Sequence, residues 1–344
     1  MRDLGIDLVL PITDETIIPL CKIRHSPTLE ARLGIAPQEA LDITLDKSRT
    51  VALAQTLGIP VPKTRLIDAV DQLYEDGFIE QLSYPVVVKP QSSRLFTATD
   101  STPAAIESLE VSYAATRDEL EALVTEAEGR YRCLVQQYCA GEGVGVELVA
   151  RQGEVVVAFQ HRRLAEVPLT GGASAWRVGE PLDPVLYRYA SSLAAALSWN
   201  GPMMVEFKVG QSPVLMEING RVWGSLPLSY ISGVDMPGAW AEVCLHEESP
   251  PRDIGSYRTG QSAYNPDLLL SWMGQNLAQS RKIDGLPYPG RGRFLPVLFG
   301  ALLRGRHDYF VLDDLGPFLH HSSTVVVKYI GKLARQVASA GSRA

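Results

Sequence analysis

Residues 202–221 leave few options other than a two-stranded hairpin with two acids on one face. Val205, Phe207 and Val209 alternate with Met204, Glu206 and Lys208, and Val214, Met216 and Ile218 alternate with Leu215, Glu217 and Asn219. Gly210 to Pro213 makes the turn. Matching the apolar faces sets Val209 opposite Val214 and therefore Glu206 opposite Glu217, whereas a slip of one residue pairs Glu206 with Ile218 and mixes the faces. Directly opposed residues have Cβ atoms about 4.5–5.5 Å apart, and like charges there repel. A divalent cation relieves that repulsion, and Asn219, two residues along, offers a third oxygen. Oxygen-only donors of this kind suit Mg2+ shared with phosphates. The plainer reading is a solvated polar face on which Lys208 neutralises one acid; Arg221, just after the acids, favours a floor for metal and phosphate.

Hydrophobic residues make up 46% of the 344-residue chain and charged residues 21%, enough apolar content for a packed core. The net charge of −7 argues against a general nucleic-acid binder but not against a phosphate pocket. Cys21, Cys133, Cys139 and Cys244 show no CxxC spacing, as expected of a reducing compartment. The chain shows no apolar run near the roughly 20 residues that cross a bilayer, and Met1-Arg2-Asp3 opens no signal peptide, so a cytoplasmic location is expected. Charge is uneven: residues 281–344 carry ten Lys+Arg against four Asp+Glu, which leaves −13 elsewhere. The apolar run Phe294 to Leu303 within that segment reads either as a buried helix with a solvated basic end or as a surface for an anionic membrane or an acidic partner.

Along the chain, Asp7 to Pro11 reads as a short strand, and Thr13 to Thr16 as a helix start. Asp46 caps a helix from Lys47 to Leu57 that Gly58 to Pro62 ends, and Thr64 to Ile67 is a strand. A second helix is expected from Asp68 toward Leu82, then a strand at Val86 to Lys89, a helix at Arg117 to Glu128 and a strand at Cys133 to Tyr138. Gly141, Gly143 and Gly145 read as a break before a strand at Glu147 to Ala150. Strands at Val155 to Gln160, Met203 to Val209 and Val214 to Asn219 and a helix at Pro184 to Trp199 complete an α+β (α/β) mixture with antiparallel sheets.

Several motifs in order across residues 40–245 resemble the ATP-grasp superfamily, in particular its carboxylate–amine ligase-like (carbamoyl-phosphate-synthase-like) members. They are Asp46-Lys47 before Gly58 to Pro62, Tyr84 to Pro90, Val135 to Gly145, Phe159 to Arg163 with Pro168 and Gly171-Gly172, Val205 to Phe207, and Met216 to Arg221. The resemblance implies two α+β lobes clasping ATP and Mg2+ (with Mn2+ as an alternative), and small-molecule carboxylate and amine substrates. It divides the chain into the remnant of a preceding α/β domain at 1–45, an N-terminal lobe with a lid at 46–140, a C-terminal lobe with the metal hairpin at 141–250, and a basic helical extension at 251–344. Relatives carry about a hundred residues before the lysine helix, so the start here reads as truncated or as completed by a partner chain or a second copy.

On the same resemblance Lys47 and Lys89 touch nucleotide phosphates, and Gln136, Gln137, Tyr138 and Cys139 form the hinge that reads adenine. Glu142 reaches ribose, and Glu206, Glu217 and Asn219 hold metal. Arg163 and Arg221 are the transition-state cations, while His161 is structural. Gln91-Ser92-Ser93 takes the place of a phosphate-covering loop or of an ordinary surface turn. The implied reaction is ATP-dependent activation of a carboxylate as an acyl phosphate that an amine then attacks. A nucleotide-binding regulatory or scaffold module without turnover, and a phosphotransferase, stay open beside it.

Overall fold

A computed structural model describes residues 5–27, 29–99, 102–246, 254–278, 283–325 and 327–328. The ends of the first and last expected segments, 1–4 and 329–344, lie outside the described residues. Strand β1 (Leu8–Val9) is followed by helix α1 (Asp14–Ile23) and by β2 (Arg32–Leu33), which pairs with β1 in parallel. α1 begins where the Thr13 N–H donates to Thr16 Oγ1 at 3.2 Å. Helices α2 (Gln38–Thr44) and α3 (Lys47–Thr56) come next. Asp46 caps α3 by accepting the Ser48 and Arg49 N–H groups at 2.8 and 3.2 Å, which sets Lys47 in the first turn.

A small antiparallel sheet and a separate hairpin follow. Their elements are β3 (Thr64–Ile67), β4 (Val86–Pro90), β5 (Arg94–Thr99), β6 (Thr102–Ser108), β7 (Ser112–Ala114), α4 (Arg117–Ala127) and β8 (Cys133–Gln137). The sheet runs β3-β8-β4-β7, and β5 and β6 form a two-stranded sheet of their own among the described residues. One face of the sheet buries Val86, Val88 and Val135 against Leu120 and Val124 of α4. The opposite face carries Val87 and Lys89 and is left to the cleft.

The remaining strands build the large sheet: β9 (Glu142–Arg151), β10 (Glu154–Val167), β11 (Ala173–Glu180), then α5 (Pro184–Ala196), β12 (Gly201–Val209) and β13 (Pro213–Asn219). After these come α6 (Leu226–Ile231), α7 (Met236–Leu245), β14 (Ser262–Tyr264), α8 (Pro266–Ala278), α9 (Phe294–Arg304) and β15 (Gly305–His307). The order is β13-β12-β9-β10-β11-β14-β15, antiparallel apart from the last pair. Val144, Val146 and Leu148 of β9 pack with Phe207, and with Leu186 and Leu193 of α5, on one face. Val149 and Phe159 pack with Met236 and Trp240 on the other. Each fully buried Val, Leu or Phe is worth about 1.5–3 kcal/mol relative to exposure, so turning β9 over would cost several such residues.

Four sequence expectations need correction. From Val70 to Gln81 there are three short 3-10 turns in place of a helix, broken where Asp76 and Gly77 take positive φ (53° and 64°). Asp68 pairs with Arg132 instead of capping. Gly143 and Gly145 lie inside β9 rather than before it, because β9 already begins at Glu142. β10 runs on to Val167, so His161 to Arg163 sit in mid-strand. The apolar run 294–303 is a helix, but it buries only Val297 and Ala301, so the buried-helix reading fails. Among the described residues no helix is long and apolar enough to cross a membrane.

Candidate active site

The hairpin forms as its pattern predicts at the acids and differs nearer the turn. Glu206 lies opposite Glu217 and Val205 opposite Ile218, yet Phe207 pairs with Leu215 and Val209 with Pro213. Met216 is therefore a bulge residue with no partner across the ladder. The bulge sends Leu215 into the core and leaves Met216 beside Glu217 in the cleft, the reverse of simple alternation.

Both acids are held by other groups. Asn219 Nδ2 donates to Glu206 Oε1 at 3.0 Å and to Glu217 Oε1 at 3.3 Å, so a positively polarised amide bridges them. Arg163 Nη2 meets Glu206 Oε2 at 2.7 Å, and Arg163 Nη1 donates to the Gly172 carbonyl at 2.8 Å. Arg163 reaches Glu206 from β10 over the intervening β9, where Gly143 carries no side chain, and Gly145 leaves room for the His161 ring beside it. A Cβ on Gly143 would stand 2.7 Å from Glu166 Oε1 and 3.0 Å from Arg163 Cδ, and one on Gly145 would run into the His161 ring. Glu166 joins Lys208 at 2.9 Å and Arg163 at 3.4 Å, extending the row of alternating charges.

Lys89 and Lys47 approach the acids from β4 and from the α3 terminus. Burial holds both ammonium groups below the ordinary lysine value, and the Glu217 carboxylate only partly restores them. Burial likewise works to raise Glu217. Lys47, Lys89, Asn219 and Arg163 overcome it and leave its carboxyl below the usual range. For Arg163, burial is outweighed by Glu206, Glu166 and Glu217, which hold the guanidinium charged. Lys47 Nζ also donates to Ser93 Oγ at 2.6 Å, and Gln91 Nε2 to Asp46 Oδ2 at 2.8 Å, so the Gln91 to Ser93 loop is tied to the start of α3.

Glu217 and Met216 wall two compartments at once. One holds Lys89, Tyr138, Cys139 and Arg163, with Val87 and Tyr113 supplying apolar surface. The other holds Lys47, Ser92, Ser93, Arg94, Asp14 and Arg221. In the second, Arg221 Nε pairs with Asp14 Oδ2 at 3.1 Å and Arg94 with Glu15 at 2.7 Å, both acids coming from the first turn of α1. The facing carboxylates of Glu206 and Glu217, with the Asn219 amide beside them and cations around them, are the oxygen-rich chemistry a hard divalent ion takes. Among the described residues no group of three or more His, Cys, Asp or Glu side chains could hold a metal ion.

The other predicted residues divide. Tyr138 and Cys139 line the cleft, and burial pushes the Tyr138 hydroxyl up to about 12. The Gln137 amide is spent on Ser83, accepting its N–H at 3.2 Å and donating to its carbonyl at 2.7 Å. Gln136 is buried with Nε2 on Thr64 Oγ1 at 2.9 Å, while its Oε1 has no partner. Glu142 departs from its expected ribose-binding place. Strand alternation puts it on the face opposite Gly143, where it pairs with Arg162 at 3.0 Å, and Arg162 also pairs with Glu180. His161 is fully buried with Nδ1 3.0 Å from Glu147 Oε1, a structural position as expected. Sequence reading missed Glu166, Lys208 as its partner, Arg94 and Asp14. Asp14 stands 207 positions from Arg221 with no local pattern linking the two.

Residues 130–263 match a family described as ATP-grasp in the biosynthetic pathway with Ter operon. A carbamoyl phosphate synthase large chain from Thermomicrobium roseum is 28% identical over 261 residues, which is 72% of this chain and 22% of that protein. The chain thus spans about a fifth of that relative's length. An L-amino acid ligase from Bacillus licheniformis superposes with a TM-score of 0.51 at 19% identity, over 72% of this chain and 57% of that one. The biotin carboxylase domain of a Hydrogenobacter thermophilus 2-oxoglutarate carboxylase, solved with MgADP and bicarbonate, gives 0.56 at 15% identity over 76% and 58%. These likenesses to solved structures establish the fold.

Proposed function

We propose that this chain is an ATP-grasp enzyme, an ATP-dependent ligase that activates a carboxylate as an acyl phosphate for attack by an amine, a reading supported by its match to an ATP-grasp family over residues 130–263 and its likeness to a carbamoyl phosphate synthase large chain. The observation that carries the reading is the shared wall: Glu217 borders both compartments, so whatever the acids hold stands between them. The compartment with Tyr138 and Cys139 takes the adenine end of ATP, and the polar compartment with Lys47 and Arg221 takes the acceptor. Glu206, Glu217 and Asn219 would hold a Mg2+ ion, which would supply positive charge against the phosphates. Lys89 and Lys47 act as point charges on phosphate. Arg163, already fixed by Glu206 and the Gly172 carbonyl, faces the charge that develops during transfer. Six cations (Lys47, Lys89, Arg94, Arg163, Lys208 and Arg221) meet five acids (Asp14, Glu15, Glu166, Glu206 and Glu217), so a site loaded with a divalent ion attracts a triphosphate.

In balance, a carboxylate oxygen bonds the γ-phosphorus as its bond to ADP breaks. The amine nitrogen then bonds the acyl carbon, phosphate leaves and the nitrogen loses a proton. Hydroxylamine tests this directly: purified protein with Mg-ATP and a panel of carboxylates should release ADP and yield a hydroxamate for the true acceptor. ATP binding without ADP release under any mixture supports the scaffold reading instead, and a phosphorylated product stable to hydroxylamine supports phosphotransfer.

A further inference from the structure

α9 has two apolar sides, and the fold covers only one. Val297 and Ala301 are buried, and Gly300 lies under the Trp176 ring, where a Cβ would collide. On the outer side Leu295, Phe299, Leu302 and Leu303 form one stripe at i, i+4, i+7 and i+8, each more than half exposed and Leu303 at 80%. The helix is fixed, not loosely docked. β15 continues from it and pairs with β14, and Asp308 closes a buried two-point pair with Arg177 at 2.6 and 3.1 Å. The stripe therefore points outward because the fold holds it there.

Its surroundings are basic. Arg291 and Arg293 precede the helix, Arg304 ends it and Arg306 follows; all are exposed, and none makes an ion pair among the described residues. No acid occurs between Asp284 and Asp308, and Asp308 is engaged by Arg177. Eleven residues make α9 far too short to span a bilayer, which takes about 20.

We propose that this face rests on an anionic lipid surface, with the stripe in the headgroup boundary and the four arginines at the level of the phosphates. A symmetric contact between two copies would set four arginines against four, so charge favours lipid over a second copy.

The test is co-sedimentation of the full chain with vesicles of phosphatidylcholine alone and of phosphatidylcholine with phosphatidylserine. Binding is expected only to the second and should fall as salt rises. Arg304→Gln and Arg306→Gln should each lower partitioning about fivefold, and Phe299→Glu should abolish it, while ADP release in solution stays unchanged. Equal or absent binding to both vesicles, or binding indifferent to these variants, overturns the proposal. So does light scattering that finds a dimer which Leu303→Glu dissociates.

Discussion

Arg163 and Glu206 meet at 2.7 Å from strands that are not neighbours, Arg163 passing over β9 at Gly143 while the His161 ring lies over Gly145. Gly145→Ala places a methyl against the buried His161 ring and should destabilise the chain by about 1–3 kcal/mol in urea unfolding. The same substitution should cost clearly less in a His161→Ala background, because the colliding ring is gone. Equal costs in the two backgrounds would show that the glycine serves another purpose.

Removing Arg163 should act on catalysis more than on ATP affinity. Arg163→Met takes away the cation aimed at the transferring charge and should lower the rate of ADP release about a hundred- to a thousandfold. Arg163→Lys keeps the charge but loses the fork that holds Glu206 and the Gly172 carbonyl together, and should recover only part of that loss. Steady-state kcat and KM for ATP check both.

The buried lysines predict an alkaline limit below the ordinary range. Burial lowers Lys89 from 10.5, so its ammonium is lost at a lower pH than a surface lysine's, and KM for ATP should climb there. Lys89→Arg should move that limb upward, since a guanidinium stays charged. For stability the sign is opposite. Below its folded value Lys89 is a buried charge that costs stability. That cost is relieved as pH rises toward 10.5, where the unfolded chain binds the extra proton. Urea midpoints across alkaline pH, with and without Mg-ATP, separate the two effects.

The acid pair was legible in the sequence because a two-residue period is hard to satisfy any other way. The bulge was not, since nothing local marks Met216 as the residue that leaves the ladder. The glycines were visible but misread: as a break they predict a loop, whereas at every second strand position they clear a path over one face. Glu142 and Arg162 each sit beside cleft residues in sequence, and strand alternation alone carried them to the far side. Asp14 and Glu15 were out of reach because tertiary folding, not spacing, brings them to Arg221 and Arg94.

Asp308 anchors the last strand of the large sheet through the fully buried Arg177. Asp308→Ala strands that guanidinium without its counter-charge and should destabilise the chain by about 3–5 kcal/mol. Replacing both partners with Leu and Met should cost much less, as followed by chemical unfolding.

Manganese EPR in the presence of ATP interrogates the Glu206, Glu217 and Asn219 site itself. Wild-type protein should bind Mn2+ together with ATP, and Glu217→Gln should weaken that binding at least tenfold and abolish ADP release in parallel. Unchanged Mn2+ affinity and unchanged ADP release in Glu217→Gln would mean that the facing acids of the hairpin do not hold the metal.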